Sequence, residues 1–419
     1  MNDPEVTNMR SGLCAALLAV LTLLPATAHA AAAPSFQASF SGRDPAVQWD
    51  KAGSLHAVYV EEQGEDAVVW YRRLGASPSG PVRVSPPGVK VVTDGNAPPI
   101  LAILSGGLLV TAYSASIPGH WKSEIRVQRS TDHGATWSET RLPHPQRVGT
   151  HSFLSAAVTP AGLLTLAWLD DSSGHMGLQA ATTADGLTFS PRQTVDAGTC
   201  ECCDTALLAG KGGTVWLAYR DVEGEDIRDF RIMRSTAPPR FKGGTKLSND
   251  GWHLNGCPDT GARLAEAADG TLWAAWFTGG GQTGIYVTSS RNGGARFAPR
   301  TLLTPAEGLY RHPEIAVLPG NRAAVVYEGV RTAGAFPGHP LLARLRDPRT
   351  GAWSAARRVA PGGIFPRLAV AGKPGERAAL AFTCRAGQQT KVVIADWELL
   401  GGGDLPWAGC DVESPKPQG

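Results

Sequence analysis

The chain has 419 residues, 42% of them apolar, with 50 Gly and 31 Pro and with 39 Lys+Arg set against 37 Asp+Glu. That length supports a large core with many turns, in one closed β architecture as readily as in several smaller domains. Balanced charge with no long basic or acidic run excludes a nucleic-acid or polyanion surface read from charge, and excludes intrinsic disorder.

The N-terminus reads as a targeting segment. Arg10 precedes an apolar run from Leu13 to Leu24, followed by Pro25 and by Ala28-His29-Ala30, the small-x-small pattern of a signal-peptidase site. Cleavage is expected after Ala30. Asp3 and Glu5 are unusual in a signal's charged region, so Met9 competes with Met1 as the start. Cys14 lies inside the segment and not behind a lipobox-like sequence, and no later stretch is long and apolar enough to span a membrane. The expectation is an exported protein, periplasmic or secreted, with a signal at 1–30, one folded unit at 31–400 and a tail at 401–419.

From there one pattern recurs seven times: a short apolar strand, a Gly- or Asn-bearing turn, then a strand of small and branched residues ending in an aromatic. The second strands end at Tyr59, Tyr113, Trp168, Tyr219, Trp276, Tyr327 and Phe382. The turns before them (AGS, SGG, PAG, GKGG, ADG, PGN, KPG) suit tight hairpins. Third strands follow at Ala67–Arg72, Glu124–Arg129, Gly177–Thr182, Ile227–Arg234, Gly284–Ser289 and Leu341–Leu345, each leading to a short fourth. Helical periodicity is absent. Repeated four-stranded units of this kind predict an all-β propeller of seven blades, with six as the alternative count. The last repeat has three clear strands, so Phe36–Phe40 is expected to supply its fourth and close the ring.

The turn after one third strand, Ser130-Thr131-Asp132-His133-Gly134-Ala135-Thr136-Trp137, matches S-x-D-x-G-x-T-W at every fixed position. Segments 182–189 and 290–297 are degraded copies in register, the second with Asn292 for the aspartate. In such a turn Ser130 and Asp132 bond backbone, Gly134 takes the strained position, Thr136 completes the turn and Trp137 packs between strands. Over most of its mature length the chain resembles the BNR/Asp-box sialidase-like superfamily. These boxes are structural and identify architecture rather than chemistry.

In a propeller, the loops before first strands and after second strands surround one mouth of the channel. Six cysteines follow the expected cleavage site: Cys200, Cys202, Cys203, Cys257, Cys384 and Cys410. Five of them map to that mouth, as do His151, His253 and His312. Thiolate and imidazole together select soft or borderline metals, so Cys202, Cys203 and Cys257 with His151 or His312 form a candidate site for copper or zinc. The structural alternative is disulfides pinning the loops, for instance Cys200 to Cys257 and Cys384 to Cys410; a redox-active thiol pair is a third reading.

The resemblance also implies a catalytic alternative, a sialidase-type glycoside hydrolase with three arginines, a tyrosine–glutamate pair and an aspartate acid/base. Arg220, Arg311, Arg367, Glu328, Tyr310 and Asp170 are the residues available for those roles. The (F/Y)-R-I-P motif of that family is missing near the mature N-terminus, where Ser41-Gly42-Arg43-Asp44-Pro45 stands instead. The leading expectation is therefore a non-catalytic binding protein whose partner is a metal ion, a small ligand or a glycan. A protein-interaction scaffold with structural disulfides is the remaining alternative.

Overall fold

The computed structural model describes residues 37–396 apart from 76, 146–147, 333–338, 372–377 and 387, together with Cys410. The expected signal segment, and the tail other than Cys410, lie outside the described residues.

Seven antiparallel sheets form a β-propeller. Blade 1 holds strands Arg43–Trp49, Leu55–Gln63, Asp66–Leu74 and Val82–Arg83, and blade 3 holds His151–Val158, Leu164–Asp170, Gly177–Thr183 and Gln193–Asp196. Blade 4 follows with Ala206–Ala209, Val215–Arg220, Phe230–Ser235 and Lys242–Lys246, and blade 5 with Arg263–Glu266, Leu272–Thr278, Gly284–Ser290 and Thr301–Leu302. Blade 6 holds Leu309–Leu318, Arg322–Arg331, Leu341–Leu345 and Arg357–Ala360. Blade 2 has three strands, Ile100–Ile103, Leu109–Ser116 and Ser123–Ser130, with an isolated bridge from Val127 to Arg141 marking the fourth position.

Blade 7 closes the ring as expected. Ile364–Val370, Ala378–Ala386 and Gln389–Asp396 come from the C-terminal part, and Gln37–Ser41 pairs along Gln389–Asp396 as the outer strand. First strands of successive blades touch in order, and that of blade 7 touches that of blade 1.

The core is not one ball but seven layers, one between each pair of neighbouring blades. Each middle strand is covered on both faces, which explains continuous apolar runs in place of alternation. In Leu164–Asp170, Trp168 packs toward blade 2 while Ala167 and Leu169 pack toward blade 4. All seven repeat aromatics are 2% exposed or less. Small residues such as Ala218, Ala274 and Ala324, all fully buried, let neighbouring sheets approach around these rings.

Three turns share one hydrogen-bond pattern. The Ser130 hydroxyl bonds Asp132 and accepts from the Gly134 amide, while Asp132 accepts from the amide and hydroxyl of Thr136. Thr183 with Asp185, and Ser290 with Asn292, repeat it. Gly134 is required twice over: its φ is +89°, and a Cβ there would lie 2.0 Å from the Tyr71 ring. Trp137 packs between blades 1 and 2, where the sequence places the box aromatic.

Candidate functional site: a sulfur cluster at the channel mouth

The loop 199–205 enters blade 4, and the loop around Cys257 enters blade 5. Backbone bonds fix both. Thr199 bridges Asp221, the Cys200 amide donates to Arg220 O, and Ile227 bridges His253. This brings four sulfurs together. Cys202 and Cys257 form a disulfide with Cα atoms 5.9 Å apart, while Cys200 and Cys203 remain thiols. Cys200 Sγ lies 3.8 Å from Cys202 Sγ and 3.5 Å from Cys203 Sγ. The second disulfide joins Cys384 of blade 7 to Cys410. Of the two pairings offered from sequence as an example, Cys384–Cys410 is present, and Cys257 takes Cys202 in place of Cys200.

Two arginines serve the cluster. Arg228 Nη1 is 3.3 Å from Cys200 Sγ, and Arg220 Nε is 3.2 Å from Cys203 Sγ. The Cys203 hydrogen bond, the Cys202 amide, Arg228 and Arg220 together outweigh burial and lower the Cys200 thiol to about 6. Burial and the neighbouring Cys200 push Cys203 well up instead. The pair thus favours one thiolate, on Cys200, beside one protonated thiol, on Cys203.

The expected histidine ligands lie apart from the sulfurs. His151 Nδ1 donates to Ser123 O at 2.8 Å, and its ring stacks on His144 at 3.8 Å in the layer under blade 3. His312 uses both nitrogens, Nδ1 at 2.7 Å from Glu328 Oε2 and Nε2 at 3.2 Å from Asp259 O. Among the described residues, the group of potential metal ligands that does converge is Cys200, Cys202 and Cys203, whose sulfurs all lie within 4.8 Å of one another.

Five of the six residues available for a sialidase are otherwise engaged through their side chains, and Arg311 is the exception. Arg220 is buried and donates to the carbonyls of Arg228, Thr260 and Phe277. Arg367 donates to Gly95 O and Pro366 O. Tyr310 donates to Glu307 O, Asp170 pairs with Arg192, and Glu328 holds His312. Arg311 pairs with Glu328 across the backbone, and its buried Nε has no partner. No side-chain hydrogen bond or ion pair joins any two of the six among the described residues.

One feature of the mouth escaped the sequence. Asp44, Phe153, His312 and Phe365 all have positive φ (47–52°), each beside a break in strand register in blades 1, 3, 6 and 7. Three of them precede proline, which itself disfavours such a backbone. The repeated residue-then-Pro at strand starts was the available signal. Deeper in, Arg263 bridges Asp204 at 2.5 Å and Glu314 at 2.9 Å, giving the channel a charged collar.

No family model matches the chain, and no curated protein matches it in sequence. Solved structures do match in fold. A PL25 polysaccharide lyase, an ulvan lyase bound to -[GlcA(1-4)Rha3S]-, aligns with a TM-score of 0.54 at 13% identity, covering 84% of this chain and 93% of that one. A protein of unknown function from Dyadobacter fermentans aligns with a TM-score of 0.50 at 14% identity, covering 87% and 98%. The Hadza microbial sialidase Hz136 aligns at 0.48 and 13% identity, covering 82% and 73%. At these identities the likeness is one of fold alone, the β-propeller already seen in the seven sheets.

Proposed function

We propose that this chain is an exported Asp-box propeller that binds a soft metal ion, copper before zinc, through the sulfurs of its channel mouth. The observation that carries the reading is the sulfur triangle. Metal–thiolate bonds of about 2.3 Å place the sulfurs of a trigonal site about 4 Å apart, and the spacings around Cys200 are 3.5 and 3.8 Å. Thiolates favour Cu(I) and Zn(II) over harder ions. Cys200, Cys202 and Cys203 would hold the ion, with Cys202 released when its disulfide to Cys257 is reduced. Two disulfides and a buried thiol pair suit an oxidising compartment in which the metal site exists only in the reduced protein.

The test is a Cu(I) titration of fully reduced, anaerobic protein against a chromophoric chelator, with elemental analysis of the product. One equivalent is expected, lost in Cys200→Ser and Cys203→Ser. Absence of binding in the reduced wild type, or unchanged binding in both variants, overturns the reading.

A second reading, a glycan at the same mouth, has one observation in its favour: the buried, unpartnered Nε of Arg311 beside the His312–Glu328 pair. The ulvan lyase with the same fold holds an acidic sugar chain.

A further inference from the structure

The four sulfurs are graded from outside to inside. Cys257 is exposed, Cys202 partly buried, and Cys200 and Cys203 are 1% and 2% exposed. They also form a continuous path. Cys257 is bonded to Cys202, Cys202 lies 3.8 Å from Cys200, and Cys200 lies 3.5 Å from Cys203. A guanidinium stands beside each inner sulfur, Arg228 at Cys200 and Arg220 at Cys203. A free dithiol beside a disulfide, rather than two closed disulfides, is the arrangement from which exchange can start without an oxidant.

We infer that these cysteines form a thiol–disulfide relay, carrying oxidation state between the buried Cys200/Cys203 pair and an external dithiol that meets the protein at Cys257. The internal exchange has two steps. Cys200 as thiolate attacks Cys202 Sγ; the Cys200–Cys202 bond forms, the Cys202–Cys257 bond breaks, and Cys257 leaves as a thiolate that takes a proton from water. Cys203 then gives up its proton and attacks Cys200 Sγ, forming Cys200–Cys203 and releasing Cys202, which ends protonated. One disulfide and two thiols stand on each side, so nothing is consumed. Reversal carries electrons inward: a reduced Cys202 attacks Cys200 of an oxidised inner pair, and Cys257 resolves the Cys200–Cys202 bond. The external dithiol, a vicinal or Cys-x-x-Cys type thiol pair, reduces Cys202–Cys257 and is itself oxidised to a disulfide.

The relay answers an access problem. The inner pair is too buried for a solvent thiol to reach, so its oxidation state is set through Cys202. Cys384–Cys410, on blade 7, has no neighbouring free thiol among the described residues and serves as an internal reference. The inference does not depend on metal binding, and its test uses chelator-treated protein.

The full chain is first oxidised with diamide, so that Cys200–Cys203 and Cys202–Cys257 are both closed. It is then treated with dithiothreitol, quenched with acid, alkylated and mapped by tryptic peptides over time. In the wild type, Cys202 and Cys257 are expected to open first and the inner pair to follow. Cys257→Ser, which leaves Cys202 as a thiol but removes the resolving thiol, is expected to release Cys203 and accumulate the Cys200–Cys202 disulfide. Cys202→Ser slows inner-pair reduction at least tenfold, while Cys384–Cys410 is reduced at an unchanged rate in every variant. A structural role alone predicts the opposite sign, because removing the staple loosens both loops and speeds access. Reduction of the inner pair in Cys202→Ser at or above the wild-type rate overturns the relay. So does opening of the inner pair before Cys202–Cys257 in the wild type.

Discussion

Arg220 Nε lies 3.2 Å from Cys203 Sγ, and the same guanidinium is stacked between the rings of Phe230 at 4.0 Å and Trp252 at 5.0 Å. Its remaining donors meet three carbonyls belonging to blades 4 and 5 and the loop between them. A buried charge held this way is an organiser: it joins two blades and polarises the sulfur cluster in one stroke. Removing it leaves three carbonyls unpaired in a dry setting. Arg220→Met is therefore expected to cost about 3–5 kcal/mol in a denaturant melt. It should also raise the rate at which Cys203 is alkylated in the folded protein. A melt within 1 kcal/mol of wild type, with unchanged alkylation, would show that the contacts carry little.

The thiol census separates the sulfur readings directly. Cys200 and Cys203 are free and buried, while the other four cysteines after Ala30 are paired. Air-oxidised, metal-free protein should show no immediate reaction with Ellman's reagent while folded, only a slow one as internal exchange presents Cys257, and two thiols per chain at once in guanidinium. Four thiols would mean that Cys202 and Cys257 are open at rest, and none would mean that the inner pair is oxidised.

The fold was legible because propeller chemistry repeats. Seven aromatic-terminated strands, each after a Gly or Asn turn, announce seven blades, and each of those aromatics sits in an inter-blade layer. Gln37–Ser41 was readable as the ring-closing strand because the last repeat lacked one. The fourth strand of blade 2 fails at Arg141, where the prolines at 143 and 145 cut the ladder to a single bridge. The site was legible only as a face. Topology placed the cysteines and histidines near one mouth, but not their side-chain directions. Cys200 therefore replaced His151 and His312 in the cluster, and Arg220, read as available for a substrate carboxylate, turned out to lie between blades 4 and 5.

His144 gives the molecule an acid-sensitive point. Its Nδ1 donates to Pro145 O at 2.9 Å, so Nε2 is the bare nitrogen that accepts from the Ile125 amide at 3.1 Å. Burial, then the stacked His151, depress it to about 4. Protonation would replace that acceptor with a donor facing a backbone N–H. Because the folded value lies below the unfolded one, the stabilisation is complete above about pH 6.5 and is lost as pH falls toward 4. A shift of this size corresponds to about 3 kcal/mol. Thermal melts should fall across that window in the wild type. The fall should be smaller in His144→Gln, whose amide oxygen can still accept but does not titrate there. Parallel slopes for the two proteins would remove His144 as the cause.

Sialoside cleavage is expected to be absent. Sialidase chemistry needs arginines gathered on one carboxylate and a tyrosine activated by a glutamate. Here Arg220 is spent on carbonyls and a thiol, Tyr310 donates to Glu307 O, and Glu328 is occupied by His312. A fluorogenic sialoside should give no turnover above a heat-killed control. Measured turnover that disappears in Glu328→Gln would reinstate the enzyme and require the His312–Glu328 pair to part on substrate binding.

The ring is closed by hydrogen bonds, while a disulfide pins the C-terminal Cys410 onto the same blade 7, and the two contributions can be separated. Gln37–Ser41 zips onto the third strand of blade 7, so the sheet is held without any C-terminal residue beyond Asp396. Cys384, on the second strand of that blade, is tied to Cys410 across 26 residues. A closed loop of that length is worth about 3.5 kcal/mol through the entropy of the unfolded chain. Cys384→Ser and Cys410→Ser should each lower stability by about that amount in non-reducing melts, with little change between them. Under strong reductant the wild type should fall to the level of either variant, apart from any contribution of Cys202–Cys257. If the variants melt with the wild type, hydrogen-bonded closure alone sustains the ring, and the disulfide only tethers the C-terminal segment.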